Sequence, residues 1–389
     1  MMLIGIIGAP NKGKSTLFSA LTMANAEIAD YPFTTIKPNR GVAYVARECP
    51  EKQLGVKCTP RNSNCVDGIR YIPIEIVDVA GLVPGAHLGK GMGNQFLSDA
   101  IAADVLIQVI DASGKTDLEG NRAEGSDPAE EVRMISEELS QWVAGIIKRH
   151  IVGILKRKDG AKAIHEILAG LKISEAAIEG TINKLGLTSS SISWKEEEIL
   201  NFSRELVKVS KPIVVAANKE DAASAEQIEK IKSALSGMQV VSCSAAIELA
   251  LKKAAKAKII DYSSGAKSFN ITGEVSEEQK KALNFMKSFI AKRGTGIQEI
   301  LDKIVFGTLN LIVVYSVEDE NKYTDHFGHV LPDARLLENG STAVDLARMI
   351  HTDLEKNFLY AVDAKRKMRI GREHALKDGD VVKIVSAVK

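Results

Sequence analysis

The sequence predicts an α/β core that is interrupted by a helical insertion and followed by a small strand-rich module. Three observations support this fold class. A short apolar run at 3–7 enters a glycine-rich loop and then an amphipathic segment, which is the order strand, loop, helix. Residues 116–206 have helical periodicity with few strand formers, and short alternating strands begin near residue 309.

Length and composition limit the class of protein. The chain has 389 residues, 45% of them hydrophobic, enough for two or three domains with buried cores. Lys and Arg number 51 and Asp and Glu 50, so net charge does not draw the whole chain to nucleic acid or membranes. No apolar run approaches the roughly 20 residues that span a bilayer, and no cationic signal segment precedes the first strand. We expect a cytoplasmic protein without membrane contact. The oligomeric state is open, with a monomer expected.

The loop after the first strand has the spacing of a phosphate-binding loop. Its glycines let backbone N–H groups converge on a phosphate, and the helix that follows adds its positive N-terminal dipole. In this pattern Lys14 reaches the β and γ phosphates and the Ser15 hydroxyl ligates Mg²⁺. A glycine-rich turn without function is the alternative. The predicted nucleotide-binding residues here are Gly8, Ala9, Pro10, Asn11, Lys12, Gly13, Lys14, Ser15 and Thr16.

Two further segments complete the expected phosphate site. The proline-punctuated stretch 30–38 is either a plain connection or the loop that closes over the γ phosphate. The apolar strand 74–77 delivers Asp78, whose carboxylate can hold Mg²⁺ through water, and then Gly81, whose N–H can meet the γ phosphate. The glycine-dense segment that follows, which contains His87, predicts a mobile switch.

A base-recognition motif follows the strand at 212–217. Asn218 can bond the purine ring, and Asp221 can accept two N–H donors that guanine has and adenine lacks. A later strand ends in small residues, where the N–H of Ala245 can meet guanine O6. The order of these motifs predicts a site for GTP and GDP. Its base-binding residues are Asn218, Lys219, Asp221, Ser244, Ala245 and Ala246.

Four cysteines are too few for a disulfide framework in a chain of this length. Cys49, Cys58 and Cys65 nevertheless cluster and offer three thiolates to a zinc ion. The C-x-x-C pairing typical of structural zinc is absent and no nearby histidine supplies a fourth ligand. Ordinary thiols are therefore the preferred interpretation, with zinc as the alternative.

The inserted segment predicts four helices and one basic run. The segment from Lys148 to Lys162 contains six basic residues and one acidic residue, Asp159. This composition indicates either an RNA contact or a solvent-exposed surface. The predicted helices are 130–151, 161–171, 175–185 and 194–207.

The C-terminal segment predicts strands at 311–317, 362–370 and 381–385 and one helix at 343–354. A hairpin here is strongly basic, which indicates either a phosphate-contacting edge or charge that protects an edge strand from aggregation. Its basic residues are Lys365, Arg366, Lys367, Arg369 and Arg372.

Three segments together resemble the Obg-related, translation-factor-class GTPases, and more narrowly the archaeal relatives of the YchF-type (Obg-like ATPase) proteins. They are residues 31–35, 78–86 and 350–356, and the resemblance covers nearly the whole chain. It implies a Ras-like P-loop GTPase core with a helical insertion and a C-terminal β-grasp (TGS) domain. It also implies that Thr35 binds Mg²⁺, so that the expected metal ligands are Ser15, Thr35 and Asp78. The predicted domains are 1–115 and 207–308 for the core, 116–206 for the insertion and 309–389 for the TGS domain.

The implied function is hydrolysis of GTP to GDP and phosphate, as a nucleotide-dependent switch on ribosomes or another RNA–protein particle. The YchF-type ATPases replace the Lys and Asp of the base motif, whereas this sequence keeps Lys219 and Asp221. GTP is therefore expected. The alternatives are an ATPase of the YchF type and an RNA-binding adaptor in which the nucleotide is mainly structural.

Water activation must depart from the Ras template, because Leu82 occupies the position of the water-orienting glutamine. Asn11 matches the position that in potassium-dependent relatives holds a monovalent cation against the phosphates, and His87 is a second candidate, as a water-positioning group. We favour Asn11 with K⁺. The expected catalytic residues are Lys14, Thr35, Gly81, Asn11 and His87.

Overall fold

A computed structural model describes residues 2–23, 39–79, 81, 84–88, 93–155, 157, 159–187 and 194–387. These residues form two compact units. The first contains residues 2–23, 39–41 and 75–300, and the second contains residues 42–74 and 301–387. The domain boundaries proposed from the sequence stay a prediction. No helix among the described residues is both long and apolar enough to cross a bilayer.

The chain contains strands and helices throughout, and their bounds are as follows. The strands are β1 Leu3–Ile7, β2 Arg40–Glu48, β3 Asn64–Val66, β4 Ile69–Asp78, β5 Val105–Asp111, β6 Ile213–Asn218, β7 Gln239–Ser242, β8 Ile260–Asp261, β9 Asn270–Ile271, β10 Leu311–Val317, β11 Asp333–Glu338, β12 Phe358–Asp363, β13 Met368–Ile370 and β14 Val381–Ser386. The helices are α1 Lys14–Thr22, α2 Glu51–Leu54, α3 Gly93–Ala102, α4 Pro128–Leu155, α5 Gly160–Leu168, α6 Glu175–Lys184, α7 Glu196–Ser210, α8 Ala225–Ala234, α9 Ala245–Lys256, α10 Glu277–Ile290, α11 Ile297–Asp302, α12 Ala343–Ile350 and α13 Thr352–Lys356.

The main sheet has the strand order β2-β4-β1-β5-β6-β7, with β3 paired to β4. Strand β1 is parallel to both β4 and β5, and the pairs β5–β6 and β6–β7 are also parallel. Every residue of β1 and β5 is buried, which explains why both strands are continuous apolar runs in the sequence. The parallel arrangement brings the carboxyl ends of β1, β4, β5 and β6 to one edge, where the predicted nucleotide residues follow.

The predicted insertion helices are confirmed as α4 to α7. They share a core with α3, in which Leu139, Ile147, Ile164 and Leu206 are fully buried. The rings of Trp194 and Phe202 lie 4.8 Å apart within this core. Helical periodicity located these elements because each helix buries one continuous apolar face.

The second unit contains a five-stranded sheet in the order β11-β10-β14-β12-β13. Strand β10 is antiparallel to β11 and parallel to β14, and helix α12 packs its apolar residues against the sheet. Two sequence predictions need correction. The expected strand 362–370 is interrupted by a turn, because the Asp363 carboxylate accepts hydrogen bonds from the N–H groups of Lys365 and Arg366. The expected helix 343–354 breaks at His351, whose backbone is extended and whose ring caps α13.

Residues 58–62 pair with the C-terminal part of the same unit. The N–H of Thr59 donates to the carbonyl of Val330 at 2.9 Å, and Arg61 forms an ion pair with Asp333 at 2.9 Å. These contacts could not be predicted from the sequence, which led us to expect this segment in the core, because contacts between residues so far apart in the chain leave no local pattern.

Candidate nucleotide-binding site

The glycine-rich loop between β1 and α1 has left-handed backbone at three positions. Gly8, Asn11 and Gly13 have φ of 144°, 60° and 93°. A Cβ atom on Gly8 would lie 2.4 Å from the Val109 carbonyl oxygen, and one on Gly13 would lie 2.3 Å from Asn218 Nδ2. Both glycines are therefore required by backbone conformation and by close packing. The loop leads directly into α1, so the first N–H groups of that helix face a prospective anion.

Lys14 lies buried beneath the loop. Its Nζ donates to the Ala9 carbonyl at 2.8 Å. Burial lowers the pKa of Lys14, although the negative charges of Asp78 and Glu131 oppose this shift. A Cβ on Gly81 would lie 3.2 Å from Lys14 Nζ, so the structure brings these two predicted catalytic residues together. An incoming phosphate can replace the Ala9 carbonyl as the partner of this ammonium group.

Ser15 and Asp78 form the predicted metal-binding corner. The Ser15 hydroxyl donates to Asp78 Oδ2 at 3.0 Å. Burial raises the pKa of the Asp78 carboxyl, and its Oδ1 atom is buried with no hydrogen-bond partner among the described residues. An unsatisfied carboxylate oxygen beside a hydroxyl is the hard donor set that Mg²⁺ prefers, so these residues fit the ion. Thr35, the third predicted ligand, lies outside the described residues.

The base motif is assembled at the ends of β6 and β7. Asn218 Nδ2 donates to the Lys12 carbonyl at 2.9 Å, and Asn218 Oδ1 accepts from the Ala245 N–H at 3.0 Å. The Ser244 hydroxyl donates to Asp221 Oδ1 at 2.6 Å. The structure thus brings together four of the predicted base-binding residues. The Ala245 N–H, which was expected to meet guanine O6, donates to Asn218 here.

Lys219 links the base motif to the phosphate loop. Its Nζ donates to the Asn11 carbonyl at 3.0 Å and pairs with Asp111 Oδ2 at 2.8 Å. Burial of Asp111 opposes ionisation, but hydrogen bonds from Lys219, Ser113 and Thr116 outweigh it and lower the pKa of that carboxyl. The carboxylate is therefore charged at neutral pH and holds Lys219 in place.

Glu131 is a site residue that sequence reasoning missed. It lies in the first turn of α4, is fully buried, accepts the Ala9 N–H at 2.9 Å and pairs with Lys12 Nζ at 3.0 Å. Lys12 also donates to the Thr116 carbonyl and hydroxyl at 3.1 and 2.9 Å. The Lys12 ammonium ties the loop to α4 and to the segment after β5, and nucleotide binding by Lys12 stays a prediction. An acidic residue in a first helical turn is too common a pattern to reveal this role.

Glu138 anchors the segment that carries His87. Its two carboxylate oxygens accept the Gly85 N–H at 2.7 Å, the His87 N–H at 3.0 Å and a bond to His87 Nδ1 at 2.7 Å. Burial raises the pKa of Glu138, but these hydrogen bonds outweigh it and the net shift is downward. Asn11, the other candidate in water activation, donates through Nδ2 to the Gly120 carbonyl at 3.0 Å. Leu82 lies outside the described residues.

Replacing Glu138 with glutamine should loosen this segment. The amide keeps one acceptor but directs an NH₂ group at an N–H donor, and charge-assisted hydrogen bonds contribute about 1.5–3 kcal/mol. Hydrogen exchange at the Gly85 and His87 amides should therefore accelerate by about 10- to 100-fold. The matched control is Glu137→Gln, since Glu137 pairs with Arg204 at 2.8 Å. Equal exchange in wild type and Glu138→Gln would contradict the anchoring role.

Three parts of the chain match known families. Residues 3–157 match the family described as 50S ribosome-binding GTPase. Residues 216–319 match the family described as Obg-like GTPase YGR210-like, G4 motif-containing domain, and residues 327–386 match the TGS domain. These matches confirm the predicted P-loop GTPase core and the C-terminal TGS domain.

Three individual proteins extend the comparison over the full chain. The uncharacterized GTP-binding protein MJ1332 of Methanocaldococcus jannaschii is 49% identical over 395 residues, covering 100% of both chains. The ribosome-binding ATPase YchF of Mycoplasma genitalium is 29% identical over 98% of both chains. The crystal structure of a GTP-binding protein from Pyrococcus horikoshii OT3 is 38% identical, has a TM-score of 0.81 and covers 99% of this chain and 100% of its own.

Proposed function

Because the chain belongs to the Obg-like, YchF-type family of GTP-binding P-loop proteins, we propose that it hydrolyses GTP to GDP and phosphate. We further propose that the nucleotide state switches its binding to ribosomes or another RNA–protein particle. The observation that carries the choice of GTP is the position of Asp221, held by Ser244 at the base edge of the site.

The Asp221 carboxylate can only accept hydrogen bonds. Guanine presents two N–H donors on the edge that such a carboxylate meets, whereas adenine presents no matching pair. Binding ATP would leave this charged group without its partners, and a site built for a hydrogen bond rejects an analogue that lacks it by about 10⁴-fold. This chemistry supports GTP over the ATP named for the YchF relative.

Each residue of the phosphate site has a definable task in hydrolysis. Lys14 releases the Ala9 carbonyl and balances charge on the β and γ phosphates, and the Gly81 N–H donates to the γ phosphate. Ser15 and Asp78 are the residues that would hold Mg²⁺, which supplies positive charge to the phosphate oxygens when bound. The buried pair of Lys12 and Glu131 holds the backbone of the loop in place, which reduces the reorganisation that the reaction requires.

We propose that a monovalent cation at Asn11 supplies the positive charge that an arginine would otherwise supply. We expect GTP turnover to be faster in K⁺ than in Na⁺ by about 10-fold or more, because the larger ion matches a site formed by one side-chain oxygen and phosphate oxygens. Asn11→Ala should remove the difference. His87→Ala should retain it, since His87 Nδ1 is bonded to Glu138. Equal turnover in the two salts would exclude the cation. Turnover lost in His87→Ala but kept in Asn11→Ala would assign the activation of water to the histidine.

The basic hairpin of the second unit supports an RNA partner. The Arg369 guanidinium stacks on the Tyr360 ring at 4.1 Å, and the Lys365 Nζ bonds only the neutral Gln53 amide, at 3.3 Å, among the contacts of the described chain. Both basic surfaces are partly neutralised. In the insertion Lys148 pairs with Glu196 at 3.3 Å and Arg157 pairs with Glu166, and in the hairpin Arg366 pairs with Asp363 and Arg372 pairs with Glu373. We choose the hairpin as the RNA-binding surface because Arg369 lies on an aromatic ring, an arrangement that also suits stacking with a base.

Salt dependence tests this surface. Replacing Lys365, Arg369 and Arg372 with glutamine should lower the slope of log affinity for ribosomes against log salt by about 2 to 3 units, because each phosphate contact releases about one counterion. The matched control replaces Lys148, Arg149 and Lys162 and should change the slope less. If the hairpin variant has the same salt dependence of ribosome binding as wild type, the hairpin does not contact phosphates, and its charge is better explained as protection of the sheet edge from aggregation.

Single-turnover hydrolysis tests the reaction itself. We expect enzyme in excess to cleave GTP faster than ATP, with a further acceleration by ribosomes. Faster cleavage of ATP would identify an ATPase of the YchF type. Tight GTP binding without cleavage, in either the presence or the absence of ribosomes, would identify an adaptor in which the nucleotide is structural.

A further inference from the structure

A cluster of metal-binding side chains lies in the second unit, outside the nucleotide site. Cys49 follows β2, Glu51 begins α2, Cys58 lies in the loop after that helix and Cys65 lies in β3. Their ligand atoms, three sulfurs and one carboxylate oxygen, all lie within 4.8 Å of one another. The spacing along the chain hides this arrangement, because the fold brings the residues together without a C-x-x-C turn.

We propose that Cys49, Cys58, Cys65 and Glu51 bind one structural zinc ion. The Cys49 and Cys58 sulfurs are 3.8 Å apart. Zinc–sulfur bonds of about 2.3 Å at tetrahedral angles place two thiolates about 3.8 Å from each other, so the pair already has the separation of a zinc site. A disulfide would need about 2.05 Å, and a multi-iron cluster would spread the sulfurs further because several ions lie between them.

The surroundings of the cluster supply the charge balance. Arg70 is fully buried, its Nη2 lies 3.6 Å from the Cys49 sulfur, and no carboxylate of the described chain forms an ion pair with it. A buried guanidinium without an anionic partner is costly, and thiolates in a metal site provide that partner. The Cys58 N–H donates to Glu51 Oε2 at 2.9 Å, which orients the carboxylate toward the sulfurs.

The chemistry of the four ligands, three thiolates and one carboxylate, favours zinc. Three thiolates favour Zn²⁺ over Mg²⁺ or Ca²⁺, and four protein ligands leave no open position, as in structural sites. A pocket lined by Glu51, Cys58 and Cys65 gives an entry path from solvent. The ion would fix residues 49–66, whose secondary structure is a short helix and a three-residue strand. The N–H groups of Thr59 and Arg61 in this segment donate to the carbonyls of residues 330 and 332.

Metal content and cobalt spectroscopy of the full chain test this proposal. Protein purified under reducing conditions should contain one zinc per chain by elemental analysis. After exchange with Co²⁺ it should show thiolate-to-metal charge-transfer bands and the intense visible bands of tetrahedral cobalt. Cys49→Ser and Cys58→Ser should each weaken zinc binding by more than about 100-fold, beyond the loss usual for outer-sphere partners. Glu51→Gln, which keeps all three thiolates, should retain the charge-transfer bands and weaken binding less.

The matched control is Cys243→Ser, since Cys243 is a buried cysteine at the end of β7. It should retain full zinc content and an unchanged cobalt spectrum. Three results would overturn the proposal: wild-type protein without zinc that fails to bind it on reconstitution, cobalt spectra without thiolate bands, or a Cys49–Cys58 disulfide found by mass spectrometry under the same conditions. Each of these readouts is independent of nucleotide binding.

Discussion

Replacing Asp221 with asparagine should weaken GTP and GDP binding by about 10²- to 10⁴-fold and raise the affinity for xanthine nucleotides. The carboxylate would accept two hydrogen bonds from guanine, and charge-assisted bonds contribute about 1.5–3 kcal/mol each. The asparagine amide presents a donor where the carboxylate accepted, and xanthine has an oxygen at that position. Titration of the nucleotide-stripped variant with GTP, GDP and XTP measures both effects.

Gain of xanthine affinity distinguishes recognition from damage to the fold. A merely misfolded site would lose all nucleotides together. Glu226→Gln, at an exposed acidic residue in the first turn of α8, is the charge-matched control and should bind GTP like wild type. An Asp221→Asn variant that keeps wild-type affinity for GTP would show that this carboxylate does not read the base.

Replacing Gly13 with alanine should abolish measurable nucleotide binding, a loss of about 10³-fold or more. Its φ of 93° is unfavourable for any L residue, and the added Cβ would lie 2.3 Å from Asn218 Nδ2. The clash displaces the Asn218 amide from the Lys12 carbonyl and opens the loop at the position where the phosphates bind. Calorimetric titration with GDP measures the loss.

Gly125→Ala separates this contact from backbone strain. Gly125 has φ of 73°, yet nothing lies within 4 Å of its prospective Cβ among the described residues. Both variants should lose a similar small amount of stability from strain, about 1 kcal/mol. Only Gly13→Ala should lose nucleotide. Near-wild-type GDP affinity in Gly13→Ala would mean that the contact with Asn218 does not shape the site.

The sequence was sufficient to predict elements whose pattern is local. Helices α4 to α7 follow from their 3.6-residue periodicity, and the buried parallel strands β1 and β5 follow from apolar runs that end in polar motifs. The meeting of Ser15 with Asp78 also follows, because parallel strands deliver both residues to the same edge of the sheet.

Interactions between distant segments could not be predicted in the same way. The pairing of Lys12 with Glu131 joins the first loop to α4. Cys49, Cys58 and Cys65 were already candidates from the sequence, but the approach of Glu51 to them depends on how the irregular chain around β3 folds. Neither has a period or a fixed spacing. The wrong predictions of a strand at 362–370 and a helix at 343–354 have a different cause. The Asp363 and His351 side chains bond to nearby backbone N–H groups, where residue propensity alone predicts that the strand and the helix continue.

Equilibrium titration of the nucleotide-stripped wild-type protein with GTP, GDP and ATP analogues tests whether the site is specific for guanine nucleotides. We expect both guanine nucleotides to bind in the presence of Mg²⁺ at least about 10²-fold more tightly than ATP, because Asp221 lacks partners on adenine. An ATP affinity equal to or greater than that for GTP would contradict the assignment of this site to guanine nucleotides.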